Sequence, residues 1–192
     1  TGATNCEDIQ NVKNFFYFKV GSYWVYEEET SGDLDTVYVT EASENPANYD
    51  FDVRVYSTYQ DYFYHFSPEY FLGNGCPDNG SICKRCLYVK RSKYKPGDFV
   101  DEVKCFFFTP DVGNQDVNWS VLYPSNKVRI ESVESEYQLG ILNFERTFMI
   151  HEEHSYMDDY QPTNHFISEN VGLIRKELLD SNNVWNLVNY FI

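Results

Sequence analysis

The sequence lacks any run of about eighteen apolar residues, so it predicts no transmembrane helix. It also lacks a basic stripe: 30 acidic residues outnumber 15 basic ones, and the formal net charge is -15. Because such a surface repels phosphate backbones, nucleic acid is not expected as a partner. The acidic residues are scattered evenly, which is typical of a solvated surface. The first residues, TGATNCEDIQN, have neither the basic nor the apolar region of a signal peptide, so any such signal is expected to have been removed.

The sequence also lacks motifs that identify a catalytic nucleophile, a metal site or a cofactor site, so no nucleophile, metal or cofactor is predicted. The segment IHEEH differs from the zincin pattern, in which two histidines lie four residues apart on a helix. On a strand, His151 and His154 point to opposite faces, so only His151 with Glu153, or Glu152 with His154, would align. We interpret this segment as a solvated strand end.

Aromatic residues are what the chain has in excess, at 18% of the total with 17 tyrosines. Since aromatic side chains bury large areas, residues 1–192 are expected to fold as one β domain. Phe51, Val53 and Val55 alternate with polar residues, which indicates a half-buried strand, and YQDYFYHFS is expected to be its return partner. A strand at 23–28 followed by the turn TSGDLD predicts a hairpin with TVYVTEA.

These patterns predict an all-β, mainly antiparallel fold of about eight to eleven strands, in one strongly curved sheet or a barrel. At most one or two short helices are expected, and residues 7 to 16 can begin with one. In GILNFERTFMIHEEH, the apolar side chains of Leu142, Phe144, Phe148 and Ile150 share one face, which Arg146 interrupts. The segment DSNN is predicted to be the turn between the last two strands.

Four of the five cysteines lie within thirty residues of a loop-like excursion at about 67–118, which indicates disulfides outside the cytoplasm. Cys83 and Cys86 form one Cys-x2-Cys knuckle, and zinc is an alternative with Cys76 and Cys105 as further ligands; free thiols are another. A zinc ribbon needs two knuckles. We therefore favour Cys76–Cys83 and Cys86–Cys105, which close short loops without crossing, and Cys6 is left over.

The two ends of the chain carry the motifs FFYFKVGSYWVYEEE and ENVGLIRKELLDSNNVWNLVNYFI. Together they resemble uncharacterised envelope lipoproteins of Bacteroidetes-type bacteria, with a Gly-x-x-Trp-x-Tyr opening strand and a Val-Gly-Leu-Ile closing strand. The resemblance implies an exported domain in the periplasm or on the outer-membrane surface, tethered to the membrane only through a lipidated cysteine that is absent from this chain. It implies no activity. Cys6 lacks the apolar and small residues that precede a lipidation cysteine and is not given that role.

The physical reasons for these end motifs can be stated without the resemblance. Gly21 and Gly172 can take positive φ, which turns the chain into the sheet, and both terminal segments are expected to lie in one sheet. Trp24 and Tyr26 share one face of the opening strand, where they are either core residues or part of a ligand platform.

The tyrosines give the functional hypothesis. A tyrosine has a flat apolar face and a polar edge, which suits sugar rings and peptide surfaces, and alternation places Tyr62 and Tyr64 on one face. We predict a non-catalytic binding or assembly module that holds a glycan, a peptide or another envelope protein on an aromatic face. The alternative is a hydrolase of envelope or nutrient polymers, with carboxylates such as Glu152 or Asp158 as acid and base.

Overall fold

The computed structural model describes residues 9–45, 50–57, 61–66, 86–95, 98–107, 116–119, 126–153 and 162–192. These residues form one helix and twelve strands, and the described strand pairs are antiparallel. The all-β class and the single short helix are confirmed, and the strand number slightly exceeds the expected range. The elements are α1 (Ile9–Phe16), β1 (Tyr23–Glu28), β2 (Leu34–Asn45), β3 (Asp50–Ser57), β4 (Asp61–Phe66), β5 (Cys86–Lys95), β6 (Asp98–Phe107), β7 (Asp116–Trp119), β8 (Asn126–Leu139), β9 (Leu142–Glu153), β10 (Thr163–Ser168), β11 (Gly172–Leu178) and β12 (Asn183–Phe191).

The chain divides into two compact units. The first unit holds Thr1–Ser22 and Tyr38–Pro110, and the second holds Tyr23–Val37 and Asp111–Ile192. Strand β2 contributes residues to both units. The prediction of one domain over residues 1–192 is not tested by this division and stays a prediction. Among the described residues, no helix is long and apolar enough to cross a membrane.

In the first unit the strand order is β6–β5–β4–β3–β2. Just after helix α1, the Tyr17 ring makes an edge-to-face contact with the Phe51 ring of this sheet, with 5.4 Å between ring centroids. The return of β3 into β4 is confirmed, and β5 pairs with β6 as an antiparallel hairpin within the cysteine-rich excursion. The buried side chains of this core are Phe15, Phe16, Phe18, Val39, Phe51, Val53 and Val55.

In the second unit the order runs from the first residues of β2 through β1–β12–β11–β10–β9–β8–β7. Tyr23 lies opposite Phe191, and Trp24 lies opposite Tyr190, so both chain ends share one sheet as predicted. Period-2 alternation explains this core, because the apolar members of each strand collect on one face. Its fully buried side chains include Phe148, Ile150, Ile174 and Leu187.

Several turns follow the local sequence rules. Gly21 and Gly172 adopt φ values of 94° and 87°, which only glycine takes without strain, as predicted. The buried carboxylate of Glu28 accepts hydrogen bonds from the backbone N–H groups of Thr30, at 3.0 Å, and Ser31. These backbone hydrogen bonds lower the pKa of Glu28, against the opposing effect of burial. Glu28 therefore fixes the turn between β1 and β2 through its charged form.

Strand β9 departs from ideal alternation at one residue. Phe144, Phe148 and Ile150 are buried on one face as predicted. Arg146 adopts a φ of 42°, which is uncommon for a side chain other than glycine or asparagine. Its guanidinium lies 5.9 Å from the Phe148 ring centroid and 3.6 Å from the Glu169 carboxylate. Arg146 therefore combines a left-handed backbone conformation with a charged side chain, at a position where the alternation of β9 predicts an apolar residue.

Candidate functional site

A pair of exposed tyrosine rings lies in the first unit. Tyr38 on β2 and Tyr56 on β3 are 41% and 42% exposed, and their ring centroids are 5.3 Å apart at an interplanar angle of 51°. Their neighbours Val39 and Val55 are buried. Because side chains alternate along a strand, burial of the valines directs both tyrosines to the opposite face of the sheet.

Polar groups flank this pair on the same two strands. The Thr40 hydroxyl donates a hydrogen bond to the backbone oxygen of Arg54 at 3.3 Å. The Arg54 Nη1 donates to the Glu41 Oε1, also at 3.3 Å, and both of these side chains are exposed. We call Tyr38, Thr40, Glu41, Arg54 and Tyr56 the tyrosine patch. It combines two flat apolar faces with a hydroxyl, a guanidinium and a carboxylate within one small area.

The tyrosines selected from the sequence lie on the next strand. Tyr62 and Tyr64 belong to β4, where the backbone register sets them opposite Val55 and Val53, both of which are buried. The side chains of Tyr62 and Tyr64 are outside the described part of the structure. Their predicted role in ligand binding therefore stays a prediction.

Trp24 and Tyr26 are buried and tie the two end motifs together. The Trp24 indole Nε1 donates to the Val171 carbonyl at 2.6 Å, and the Tyr26 hydroxyl donates to the Leu173 carbonyl at 2.7 Å. In the described structure, β11 pairs with β12 only from Arg175 to Leu178. Trp24 and Tyr26 therefore bind carbonyl groups in the part of the chain before Arg175, where β11 does not pair with β12. Both contacts are structural, which agrees with the core alternative stated for these residues. A ligand role for them is untested.

A second cluster of polar side chains crosses four strands of the second unit. The His151 Nδ1 lies 2.7 Å from the Asn164 Oδ1, and the Asn164 Nδ2 donates to the Glu177 Oε2 at 2.8 Å. The Glu177 Oε1 accepts from the Arg175 Nε at 2.8 Å, and the Arg175 Nη1 donates to the Asn186 Oδ1 at 3.3 Å. We call these five residues the polar ladder.

Hydrogen-bond direction assigns the proton on His151. Since the Asn164 amide nitrogen donates to Glu177, its oxygen must accept from the imidazole, and the His151 Nδ1 therefore carries hydrogen. His151 lies near the end of β9 as expected, but its ring is half-buried and hydrogen-bonded, so the prediction of a solvated segment is wrong for this residue. The error arose because the partner on β10 is brought close only by the strand register.

Aromatic rings border the polar ladder. The Arg175 guanidinium carbon lies 5.7 Å from the Phe166 ring centroid, and the Tyr137 ring centroid lies 5.4 Å from that of Phe166. Burial raises the pKa of Tyr137, an effect that Arg175 opposes and Glu177 reinforces. Both oxygens of Glu177 are engaged within the ladder, so this carboxylate is committed to holding Asn164 and Arg175 in place. The arrangement is that of a structural network.

The cysteines and the remaining titratable candidates lie mostly beyond the described residues. Cys86 begins β5 opposite Phe107, and Cys105 on β6 lies opposite Tyr88, so the two cysteines are diagonal neighbours in the ladder. Their side chains are not described. The predicted pairing thus stays a prediction. The sites outside the described residues or side chains are Cys6, Cys76, Cys83, Glu152, Glu153, His154 and Asp158. Within the part that is described, no group of three or more His, Cys, Asp or Glu side chains suits a metal ion.

Sequence reasoning missed the tyrosine patch and the polar ladder for different reasons. Tyr38 and Tyr56 each alternate with valines in VYVT and VRVYS, and that signal was available. The ladder joins residues that are distant in sequence. No local pattern identifies it, because its contacts depend on three strand registers at once.

No family model and no curated protein matches the sequence. Among solved structures, the chain is similar to a candidate lipoprotein of Parabacteroides distasonis ATCC 8503, with 14% identity, 93% of this chain and 99% of that chain covered, and a TM-score of 0.43. The source is a Bacteroidetes species, the group to which the end motifs pointed. At that TM-score the likeness establishes neither a shared fold nor a shared function.

Proposed function

We propose that this chain is a non-catalytic binding module of an exported envelope protein and that it binds its ligand on the tyrosine patch. The observation that carries the proposal is the exposure of Tyr38 and Tyr56 as a ring pair on a sheet whose other face is buried against the core. Exposed aromatic rings beside an arginine are the residue types that dominate binding energy at interfaces. Glycan, peptide and envelope-protein ligands all remain within this proposal.

A binding screen tests the proposal. The wild type and the variants Tyr38→Ala and Tyr56→Ala are screened against immobilised glycans, peptides and envelope proteins. If the patch is the site, each substitution weakens binding by more than about 1 kcal/mol, or roughly fivefold in Kd. Phe191→Ala is the matched control, because it removes a ring that is 62% exposed from the second unit. Equal binding by all four proteins would contradict the proposal.

The proposed location is extracytoplasmic, in the periplasm or on the outer-membrane surface, with membrane attachment through a lipid anchor. The crowding of four cysteines and the resemblance of the end motifs support it. Non-reducing peptide mapping of protein purified from the envelope is expected to recover Cys76–Cys83 and Cys86–Cys105. Four free thiols together with bound zinc would contradict the oxidised, exported form.

The alternative proposal, a hydrolase, needs an acid with a raised pKa and a second carboxylate roughly 5 to 9 Å away. The shifted carboxyl in the described structure is that of Glu28, and its pKa is lowered because it holds a turn. The candidates Glu152 and Asp158 are tested directly. Polysaccharide hydrolysis that is lost in both Glu152→Gln and Asp158→Asn would favour the hydrolase over the binding module.

A further inference from the structure

We infer that the ligand of the tyrosine patch is a neutral glycan, one pyranose ring of which lies against Tyr38 and Tyr56. This inference rests on the proposed function and names its ligand class. Three properties of the patch carry it: its size, the chemistry of its groups and its charge.

The size of the patch suits one sugar ring. Tyr38 and Thr40 are two residues apart on β2, and Arg54 and Tyr56 are two residues apart on the adjacent strand β3. Two residues of strand span about 7 Å, and neighbouring strands lie about 5 Å apart. The described residues of the patch therefore match the footprint of one small rigid ring.

The chemistry of the patch matches the two surfaces of a sugar. The C–H groups on the face of a pyranose are apolar and slightly positive, and they suit the negative face of an aromatic ring. The hydroxyl groups around the rim need donors and acceptors in the same plane. Thr40, Arg54 and Glu41 carry donors and acceptors on the same two strands, where hydrogen bonds link them to one another.

The charge of the patch favours a neutral ligand over an ionic one. The Arg54 guanidinium is paired with the Glu41 carboxylate at 3.3 Å, so neither charge is left uncompensated. The chain as a whole carries a formal charge of -15, which repels uronic acids, phosphates and acidic peptides. A peptide that binds by adding a strand would need an unpaired strand edge, whereas β3 is paired on both sides, with β4 and β2. A neutral polyol satisfies these conditions.

Titration calorimetry with defined ligands tests the inference. The probes are neutral hexose oligosaccharides, uronic-acid oligosaccharides of the same length and a set of extended peptides. Wild-type protein is expected to bind a neutral oligosaccharide, and Tyr38→Ala and Tyr56→Ala each weaken that binding at least about fivefold. Tyr38→Phe and Tyr56→Phe keep the ring faces and stay within about threefold of the wild type. Phe191→Ala is the control, and circular dichroism verifies that each variant is folded.

The failures of the two proposals give different results. Binding of a peptide or an acidic glycan that is lost in both alanine variants would overturn the neutral-glycan inference and leave the binding module standing. Neutral-glycan binding that neither alanine variant weakens would overturn the assignment of the site. If no ligand class binds to the folded wild type, the binding module itself is wrong, and the inference falls with it.

Discussion

The hydrogen bonds that join the two end motifs give a sharp prediction. Trp24→Phe removes the indole N–H that donates to the Val171 carbonyl at 2.6 Å, at a side chain that is only 4% exposed. A buried carbonyl left without its partner costs about 1–3 kcal/mol, and the smaller ring loses about 1 kcal/mol of apolar burial. We expect Trp24→Phe to lower the free energy of unfolding by about 2–4 kcal/mol.

Tyr26→Phe is the companion change, because it deletes one hydroxyl and changes the ring volume little. Its bond to the Leu173 carbonyl is partly buried, so we expect a loss of about 1–2 kcal/mol. Since both bonds hold the segment from Val171 to Leu173 at the start of β11, the double variant should depart from additivity by at least about 0.5 kcal/mol. Tyr23→Phe is the control: this tyrosine is on the opposite face of β1 and stacks on Phe191.

Urea unfolding followed by far-ultraviolet circular dichroism measures these differences, because tryptophan fluorescence is itself changed by the substitution. In a chain of this length, each 1 kcal/mol is expected to lower Tm by roughly 2–4 °C. Coincident transitions by two probes are required, since the chain divides into two compact units. If Trp24→Phe and Tyr26→Phe both lie within about 0.5 kcal/mol of Tyr23→Phe, the two bonds do not hold the end motifs together.

Three further changes test other parts of the structure. Because the pKa of Glu28 is lowered in the folded protein, its carboxylate stabilises the fold above the unfolded pKa, and this stabilisation is lost as the pH falls through the folded pKa. The difference in unfolding free energy between wild type and Glu28→Gln should therefore close on acidification below about pH 4.5. A difference that stays constant with pH would contradict this. At Arg146, where φ is 42°, Arg146→Val should cost at least about 2 kcal/mol more in unfolding free energy than Arg146→Gly, and equal costs would show that the backbone is not strained there. Asn164→Asp places a second carboxylate next to that of Glu177, so this variant should be less stable than wild type at neutral pH. The difference in unfolding free energy should shrink as the pH falls and a carboxylate is protonated, whereas for Asn164→Leu it should change little.

Local alternation was sufficient to predict much of the fold. Strand β1 has the predicted bounds, α1 lies within the predicted residues 7 to 16, and β4 returns along β3. In these segments an apolar residue predicts a buried position, because the core lies on one side of a pleated strand. The turn between β11 and β12 also follows its sequence, and Asn182 takes a φ of 55° within it.

The exposed aromatic face shows where local reasoning stops. Alternation divides the tyrosines of a strand into two faces, but it does not say which face the rest of the chain covers. In the first unit, the valine face of β2 and β3 is the buried one, and the Tyr17 ring contacts Phe51. Tyr38 and Tyr56 are exposed on the other face, and this choice of face is not set by any pattern within the strands.

Strand β10 shows the same limit for polar residues. All six of its residues are buried, including Asn164. The sequence TNHFIS nevertheless has no alternation of apolar residues that would predict a central strand. The reason is the polar ladder, in which hydrogen bonds to His151 and Glu177 replace apolar packing on one face. A register slip of one residue would turn Asn164 away from both partners and leave Glu177 short of a donor in a half-buried position, at a cost of a few kcal/mol. We therefore assign the ladder the task of fixing strand register in the second unit.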